Sequence, residues 1–389
     1  MKMKNLDIDR RYLRETLLEL LNTPSPTGMT DGVVQVVCHK LDAMGIEYEL
    51  TRRGAIRANL SGKVHSPDRG IAAHLDTLGA MVKNLKPNGR LEVVSVGTWP
   101  ARSAEGARVT LFADHGRQFR GSLLPLKASG HVFGKQVDTQ ESSWQNLELR
   151  LDEPVDSLEG LRQLGVHPGD MLAVDPQPEF LDNGFWVSRF LDDKAGVAAL
   201  LAAAKAVRES GCTLPMDCHL LFTISEETGA GASHILHGDV AELLAVDNGT
   251  SAPGQNTSEY GVTIAMQDSS GPFDWYLTRR LISLCESYGI EHKRDVFRYY
   301  RSDSAAAVEA GNDIRTGLIC FALDASHGYE RTHEKSVLAV AQLLALYMQS
   351  GLLFERDEHA LGPLEDFPED PADWNDSEFC AIDSTGPGD

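Results

Sequence analysis

Positive charge is scarce in this sequence: across 389 residues, 36 lysines and arginines face 57 aspartates and glutamates, for a formal net charge of -21. So acidic a protein has no basic face for a phosphate backbone, which excludes nucleic acid as a partner. The same charge favours solubility. Long apolar runs are missing too. No stretch approaches the roughly 20 residues a membrane helix needs, and Met1-Lys2-Met3-Lys4 lacks the apolar centre of a signal peptide. A cytoplasmic protein without a membrane partner is therefore expected. The six cysteines, Cys38, Cys212, Cys218, Cys285, Cys320 and Cys380, are scattered with no Cys-x-x-Cys pair. That pattern speaks against a disulfide framework and a thiolate zinc site, and leaves reduced, mostly buried thiols.

What is present suffices for a large core: 42% of the residues are hydrophobic and 24% charged, as in ordinary globular proteins. Residues 1–76 read as helix, helix, strand, strand, then a strand ending in His74-Leu75-Asp76, the opening of an α/β domain. The first helix stops at Pro24 and Pro26, and the second at Gly45. Between 77 and 182 long helices vanish, except for one near 157–164. Glycine-punctuated alternating segments such as 91–96, 109–113, 146–151 and 171–175 replace them, marking a β-rich insertion. The α/β pattern resumes over 183–354, with an extended segment at 184–189, an Ala-rich helix near 192–209 and a last helix near 334–349. Strands alternating with helices imply a mainly parallel sheet covered by helices. Residues 355–389 are acidic and proline-rich without periodicity, so a tail that is mobile or draped over a neighbour is expected.

The chemistry centres on Ser225-Glu226-Glu227-Thr228-Gly229-Ala230-Gly231, which places two carboxylates directly after the apolar run 219–224. Two acids at the mouth of a buried strand repel each other and are costly to desolvate, so a cation should sit beside them. Taken alone, the pair would merely open a solvated helix, whose N-terminus welcomes acids. Other residues share its position. His74 and Asp76 end a strand with both side chains on one side, where Asp76 could orient the His74 imidazole. Asp192 opens the Ala-rich helix, where N-capping is the bland alternative. Asp247 ends a strand and could simply start a turn. His333 precedes the last helix, with His327 six residues earlier. In open α/β sheets the carboxyl edge of the strands is where ligands bind. His, Asp and Glu converging there without thiolates are what a two-metal hydrolytic site of zinc or cobalt type needs.

At these residues the sequence resembles the M42 family of metallo-aminopeptidases. The motifs AHLDTLGAMV, RFLDDKAGVAAL, FTISEETGAGAS, AVDNGT, YRSDSAAAVEAG and the His333 region occur in the family's order between about 71 and 337. The resemblance implies a zinc-peptidase α/β domain interrupted by a barrel-like dimerisation domain, and homo-oligomers up to dodecamers built from dimers. It implies that two divalent ions, zinc or cobalt, are held by His74 and Asp247 on one side and Glu227 and His333 on the other, with Asp192 bridging. Glu226 would be the general base and Asp76 the orienting acid. His333 is preferred to His327 because it abuts a helix of the right length, as in the family. Tyr300-Arg301-Ser302-Asp303-Ser304 departs from the family's Gly-Gly-Thr-Asp-Ala, and the whole looks most like a divergent subgroup encoded with enzymes for the osmoprotectant N-acetylglutaminylglutamine amide. The expected activity is removal of N-terminal residues from short peptides or amides. The competing expectations are an M20- or M28-like deacylase or carboxypeptidase and a non-catalytic scaffold with the same fold.

Overall fold

The structure, a computed structural model, describes residues 3–237, 239–365, 367 and 368. The first helix, Arg10–Leu21, buries Leu13, Leu17, Leu20 and Leu21, the i, i+4, i+7, i+8 stripe of a helix with one face on a core. Asp9 caps it, its side chain accepting the Tyr12 backbone N–H at 2.9 Å. Asp31–Met44 ends where Gly45 turns left-handed at φ 63°, the conformation that glycine takes most readily.

A nine-stranded sheet carries the main core. Its four central strands run in the order Leu214–Thr223, Gly62–His74, Val240–Thr250, Arg315–Leu323, all parallel to their neighbours. Outward from these, Ile56–Leu60 and Glu47–Leu50 are added antiparallel on one side, and Val262–Asp268 with Gly271–Pro272 on the other; His292–Val296 pairs in parallel with Val262–Asp268. The sheet is thus mixed: the mainly parallel expectation holds at its centre, where crossovers bury both faces, and gives way to antiparallel pairing toward its edges. The helix Leu191–Ser210 packs on the central strands and against Glu334–Gln349 and Arg10–Leu21, and it is buried without a break from Leu191 to Ala204.

Between Gly79 and Val174 six strands close into a barrel, which removes every open sheet edge from this part of the chain. The barrel has its own core, with Val82, Leu91, Val109, Leu123, Leu149 and Leu172 inside. The helix expected here is present as Leu158–Leu164, capped by the Ser157 hydroxyl.

Two local expectations are revised. Residues 184–189 do not join the main sheet: Phe185–Ser188 pairs with Glu179–Phe180 and with Glu330–His333 in a separate three-stranded sheet. The start of the tail is fastened rather than loose, since Asp357 in the short turn Glu355–Glu358 forms an ion pair with Arg315 at 2.6 Å. The tail beyond 368 lies outside the described residues.

Candidate metal centre

The parallel strands bring their carboxyl ends to one edge. His74 terminates its strand, Glu226 and Glu227 follow Thr223 by a few residues, and Asp247 lies near the end of Val240–Thr250. Asp192 reaches this edge from the start of its helix, where residues 192 and 193 depart from helical geometry before the regular turns begin. Here the structure collects Asp76, Asp192, Asp193, Glu227, Asp247, Asp303 and Glu330, all buried, with half-buried Glu226 beside them. Two imidazoles, His74 and His327, stand among these acids. Gly196 is needed in this crowd, since a Cβ there would lie 2.1 Å from Asp193 Oδ1.

The two histidines are oriented alike. His74 directs Nδ1 to the Asp76 carbonyl at 2.9 Å and Nε2 to Asp192 Oδ1 at 3.2 Å. His327 directs Nδ1 to the Thr98 carbonyl at 2.8 Å and Nε2 to Asp192 Oδ2 at 3.4 Å and Glu227 Oε2 at 3.6 Å. A carbonyl can only accept, so each Nδ1 carries the hydrogen and each Nε2 lone pair faces carboxylate oxygens. Acceptor against acceptor is repulsive unless a proton or a metal ion lies between. The ligand atoms of His74, Asp192 and Asp247 lie within 4.8 Å of one another, as do those of Asp192, Glu227 and His327. Asp192 belongs to both groups and gives one oxygen to each histidine.

The electrostatics tell the same story. Burial lowers the His74 imidazole, but the Asp192 hydrogen bond and the charges of Glu226, Asp193 and Asp76 raise it well above the usual value. Burial likewise opposes protonation of His327, yet Asp192 and Glu227 push it up to about 10. Glu227 is pushed up to about 8 by burial and then by Asp192. Glu226 and Asp247 rise well above the carboxylate range, burial again leading. Asp192 alone goes down: burial works against it, but His327 and His74 outweigh burial. Glu227 Oε1 and Asp193 Oδ1 are buried with no hydrogen-bond partner among the described residues. Without a cation, the cluster must take up protons to offset its charge.

His333 does not reach this edge. It sits in Glu330–His333, paired with Phe185, and its ring lies against Phe185 and Tyr260. Its Nε2 meets the Asn183 carbonyl at 3.1 Å, and its Nδ1 accepts the Lys335 N–H at 3.2 Å, so both nitrogens are engaged. His327 takes the position expected of His333. The role expected of the Asp76 carboxylate also shifts. His74 Nδ1 bonds the Asp76 carbonyl, with Oδ1 farther away at 3.7 Å. The Asp76 carboxylate instead accepts the backbone N–H groups of Glu226 and Glu227 at 3.0 and 3.3 Å and the Thr27 hydroxyl at 2.6 Å, holding the acidic turn in place.

A family model of the M42 glutamyl aminopeptidases matches residues 54–343. The chain belongs to that family. This M42 aminopeptidase, a hydrolase of peptide bonds, is 38% identical over 343 residues to the putative aminopeptidase YhfE of Bacillus subtilis, covering 88% of this chain and 99% of that protein. The aminopeptidase APDkam598 of the archaeon Desulfurococcus kamchatkensis superposes with a TM-score of 0.78 at 22% identity, over 87% of this chain and 95% of that one. The TET1 peptidase of Pyrococcus horikoshii, which can assemble into a tetrahedron or a large octahedral shell, gives a TM-score of 0.76 at 20% identity, over 86% and 99%.

In the M42 chain two supporting residues escaped the sequence reading. Glu330 accepts the Asp192 backbone N–H at 3.2 Å and that of His327 at 3.1 Å, tying together two residues of the cluster. Asn248 donates to Asp192 Oδ2 at 2.8 Å, and the Tyr300 hydroxyl fixes Asn248 through its carbonyl at 2.7 Å. Asn248 follows Asp247 directly, which was a signal of sorts. Glu330 carried none beyond its nearness to His327.

Proposed function

We propose that this M42 aminopeptidase is a dinuclear metal enzyme that removes N-terminal residues from short peptides or small amides. The observation that carries the reading is the matched pair of Nε2 lone pairs converging on the two oxygens of Asp192. His74, Asp192 and Asp247 would hold one divalent ion, and Asp192, Glu227 and His327 the other. Imidazole with carboxylate and no thiolate suits zinc or cobalt. When bound, such ions supply Lewis acidity for the peptide carbonyl and acidify water toward neutrality.

The chain itself moves the proton. Glu226 belongs to neither ligand group and lies 3.9 Å from His74 Nε2, close to the cluster but outside it. Its Oε atoms take the proton from the attacking water and return it to the nitrogen of the departing amine, so the proton balance closes within one turnover. In the metal-free chain burial leads in raising this carboxyl above its ordinary range, His74 opposes it, and Asp247 and Glu227 add to it. Asp76 holds the Glu226 and Glu227 backbone and so keeps base and ligand in separate roles. Replacing Glu226 by Gln is expected to leave the metal content intact and to lower kcat by about 10² to 10⁴-fold. Full activity in that variant would sink the assignment. Aminoacyl amides and peptides, free or acetylated at the N-terminus and assayed with zinc, cobalt or manganese added back, would define the substrate class. Acetylated substrates should be refused, so any part in the chemistry of an acetylated osmoprotectant would lie with a deacetylated intermediate.

The barrel, inserted directly after the first ligand strand, would serve as the dimerisation module, and dimers would build larger shells as the Pyrococcus horikoshii protein does. A cytoplasmic working place belongs to the same proposal; no helix among the described residues is long and apolar enough to cross a membrane. Light scattering on a sizing column tests the assembly.

A further inference from the structure

The strand that ends at His74 carries another acid six residues earlier, Asp68, roughly 20 Å away along the strand at about 3.3 Å per residue. The neighbouring strand Leu214–Thr223 brings His219 beside it, and the segment leading into Val240–Thr250 brings His237. His219 Nε2 lies 3.1 Å from Asp68 Oδ2, and His237 Nε2 lies 3.7 Å from the same oxygen. The two rings are 4.5 Å apart and nearly perpendicular. All three residues offer ligand atoms within 4.8 Å of one another. Ligands held about 2.0–2.1 Å from a tetrahedral zinc stand roughly 3.3 Å apart, and the two measured separations bracket that distance.

Burial supplies the independent observation. Asp68 and His219 are each only 6% exposed. Asp68 Oδ1 and both His219 ring nitrogens lack a hydrogen-bond partner among the described residues, the Nε2–Asp68 approach having the distance but not the geometry of one. Orphaned buried polar atoms of this kind are rare and costly. His237 is exposed and faces an open cleft of about 880 Å³ that also borders Tyr48, Arg57 and Asn59, which gives an ion an entry path. Arg57, the nearby cation, is turned to the Ile235 carbonyl at 2.5 and 3.1 Å and so already grips the segment that carries His237.

We propose that Asp68, His219 and His237 form a third divalent-cation site of zinc type, separate from the catalytic edge, that fastens the segment 235–237 to the sheet. One position on the ion stays open toward the cleft for water. The site is structural: this segment leads from the turn bearing Glu226 and Glu227 to the strand bearing Asp247, so anchoring it steadies the connection between two ligand-bearing elements.

The test uses full-length protein stripped with a chelator and reloaded with zinc alone, with bound zinc per chain measured by elemental mass spectrometry and the melting temperature recorded with and without zinc. His237→Ala, at an exposed position, is expected to hold one zinc fewer than the wild type, to lose part of the zinc-induced rise in melting temperature, and to keep peptide hydrolysis under saturating metal. Asp68→Asn should give the same deficit and guards against an effect peculiar to the histidine. In the Asp192→Asn background, which weakens the catalytic set, adding His237→Ala should still remove one zinc. Equal zinc in the presence and absence of His237 in both backgrounds would overturn the proposal. Failure of Asp192→Asn to lower the zinc content would instead count against the catalytic reading, so the two failures are distinguishable.

Discussion

Two buried polar clusters lie along the same strands, and they solve the problem of charge in opposite ways. Around Arg69, on the strand that ends at His74, the guanidinium meets Glu242 Oε2 at 2.9 Å, together with the carbonyls of Tyr347, Ser350 and Gly351. Glu242 in turn accepts the Tyr347 hydroxyl at 2.8 Å and the Leu353 N–H at 3.1 Å. One positive charge answers one negative charge, and the donors and acceptors find partners within the chain. At the carboxyl edge, seven buried acids and Glu226 face two imidazoles, and oxygens of Glu227, Asp193 and Asp303 have no hydrogen-bond partner among the described residues. A balanced buried pair is complete as it stands. An unbalanced cluster needs protons or a cation to complete it, and that difference separates scaffold from candidate site.

The sharpest test of the contrast is Asp192→Asn, which takes away the charge shared by both ligand groups. A loss of more than about 100-fold in kcat/KM is expected, and elemental analysis should show metal lost from both positions. Next, His327→Ala is expected to lose one metal per chain and at least about 100-fold in activity, since even an outer partner of a metal ligand can matter that much. His333→Ala should keep both metals and cost only about 1–2 kcal/mol of stability through lost packing on Phe185 and Tyr260. The reverse result would restore His333 as the ligand.

Acid–base behaviour separates the clusters again. In metal-free protein His327 is raised from 6.5 to about 10, so its stabilising contribution is whole below pH 6.5 and is lost as the pH climbs to about 10. Glu227, raised from 4.5 to about 8, acts with the same sign, losing stability between those values as it is forced to ionise while buried. Melting temperatures of the stripped protein should therefore fall from pH 6.5 toward 10, whereas added metal, which competes with protons for the same ligands, should flatten or reverse the trend. The smallest effect on metal content belongs to Arg69→Met. It leaves Glu242 buried and unpaired at a cost of about 3–5 kcal/mol, seen by denaturant titration, while metal content and kcat per folded molecule stay unchanged.

The sequence disclosed most of the carboxyl-edge cluster, because its residues share a position as well as a chemistry, and nothing of the Arg69–Glu242 pair. His74, Glu226, Glu227 and Asp247 each come at the end of an apolar run, a signal that survives without coordinates. The β-rich stretch showed itself through lost helical periodicity, although nothing in the spacing of its strands announced closure into a barrel. His327 was misjudged for a physical reason. Nearness to the last helix favoured His333, but the short strand Glu330–His333 turns that residue toward Phe185 and away from the cluster. The rule that picked out the other members of the cluster would have picked out His327, which follows the parallel strand Arg315–Leu323 by four residues. The hold of Glu330 on Asp192 and the new part of Asp76 were beyond reach, since they join groups 138 and 150 residues apart in the chain.

The contact between His327 and the Thr98 carbonyl spans 229 residues and crosses from the barrel to the far end of the α/β domain. It has a consequence for biosynthesis. While the chain is being made, the strands bearing His74 and Asp247 and the turn bearing Glu227 emerge before His327 leaves the ribosome, and its ring finds the Thr98 carbonyl only once the barrel segment is in place. On the proposed reading, a nascent or truncated chain would lack the second imidazole of the site, and the metal-binding set would be complete only once nearly the whole polypeptide exists.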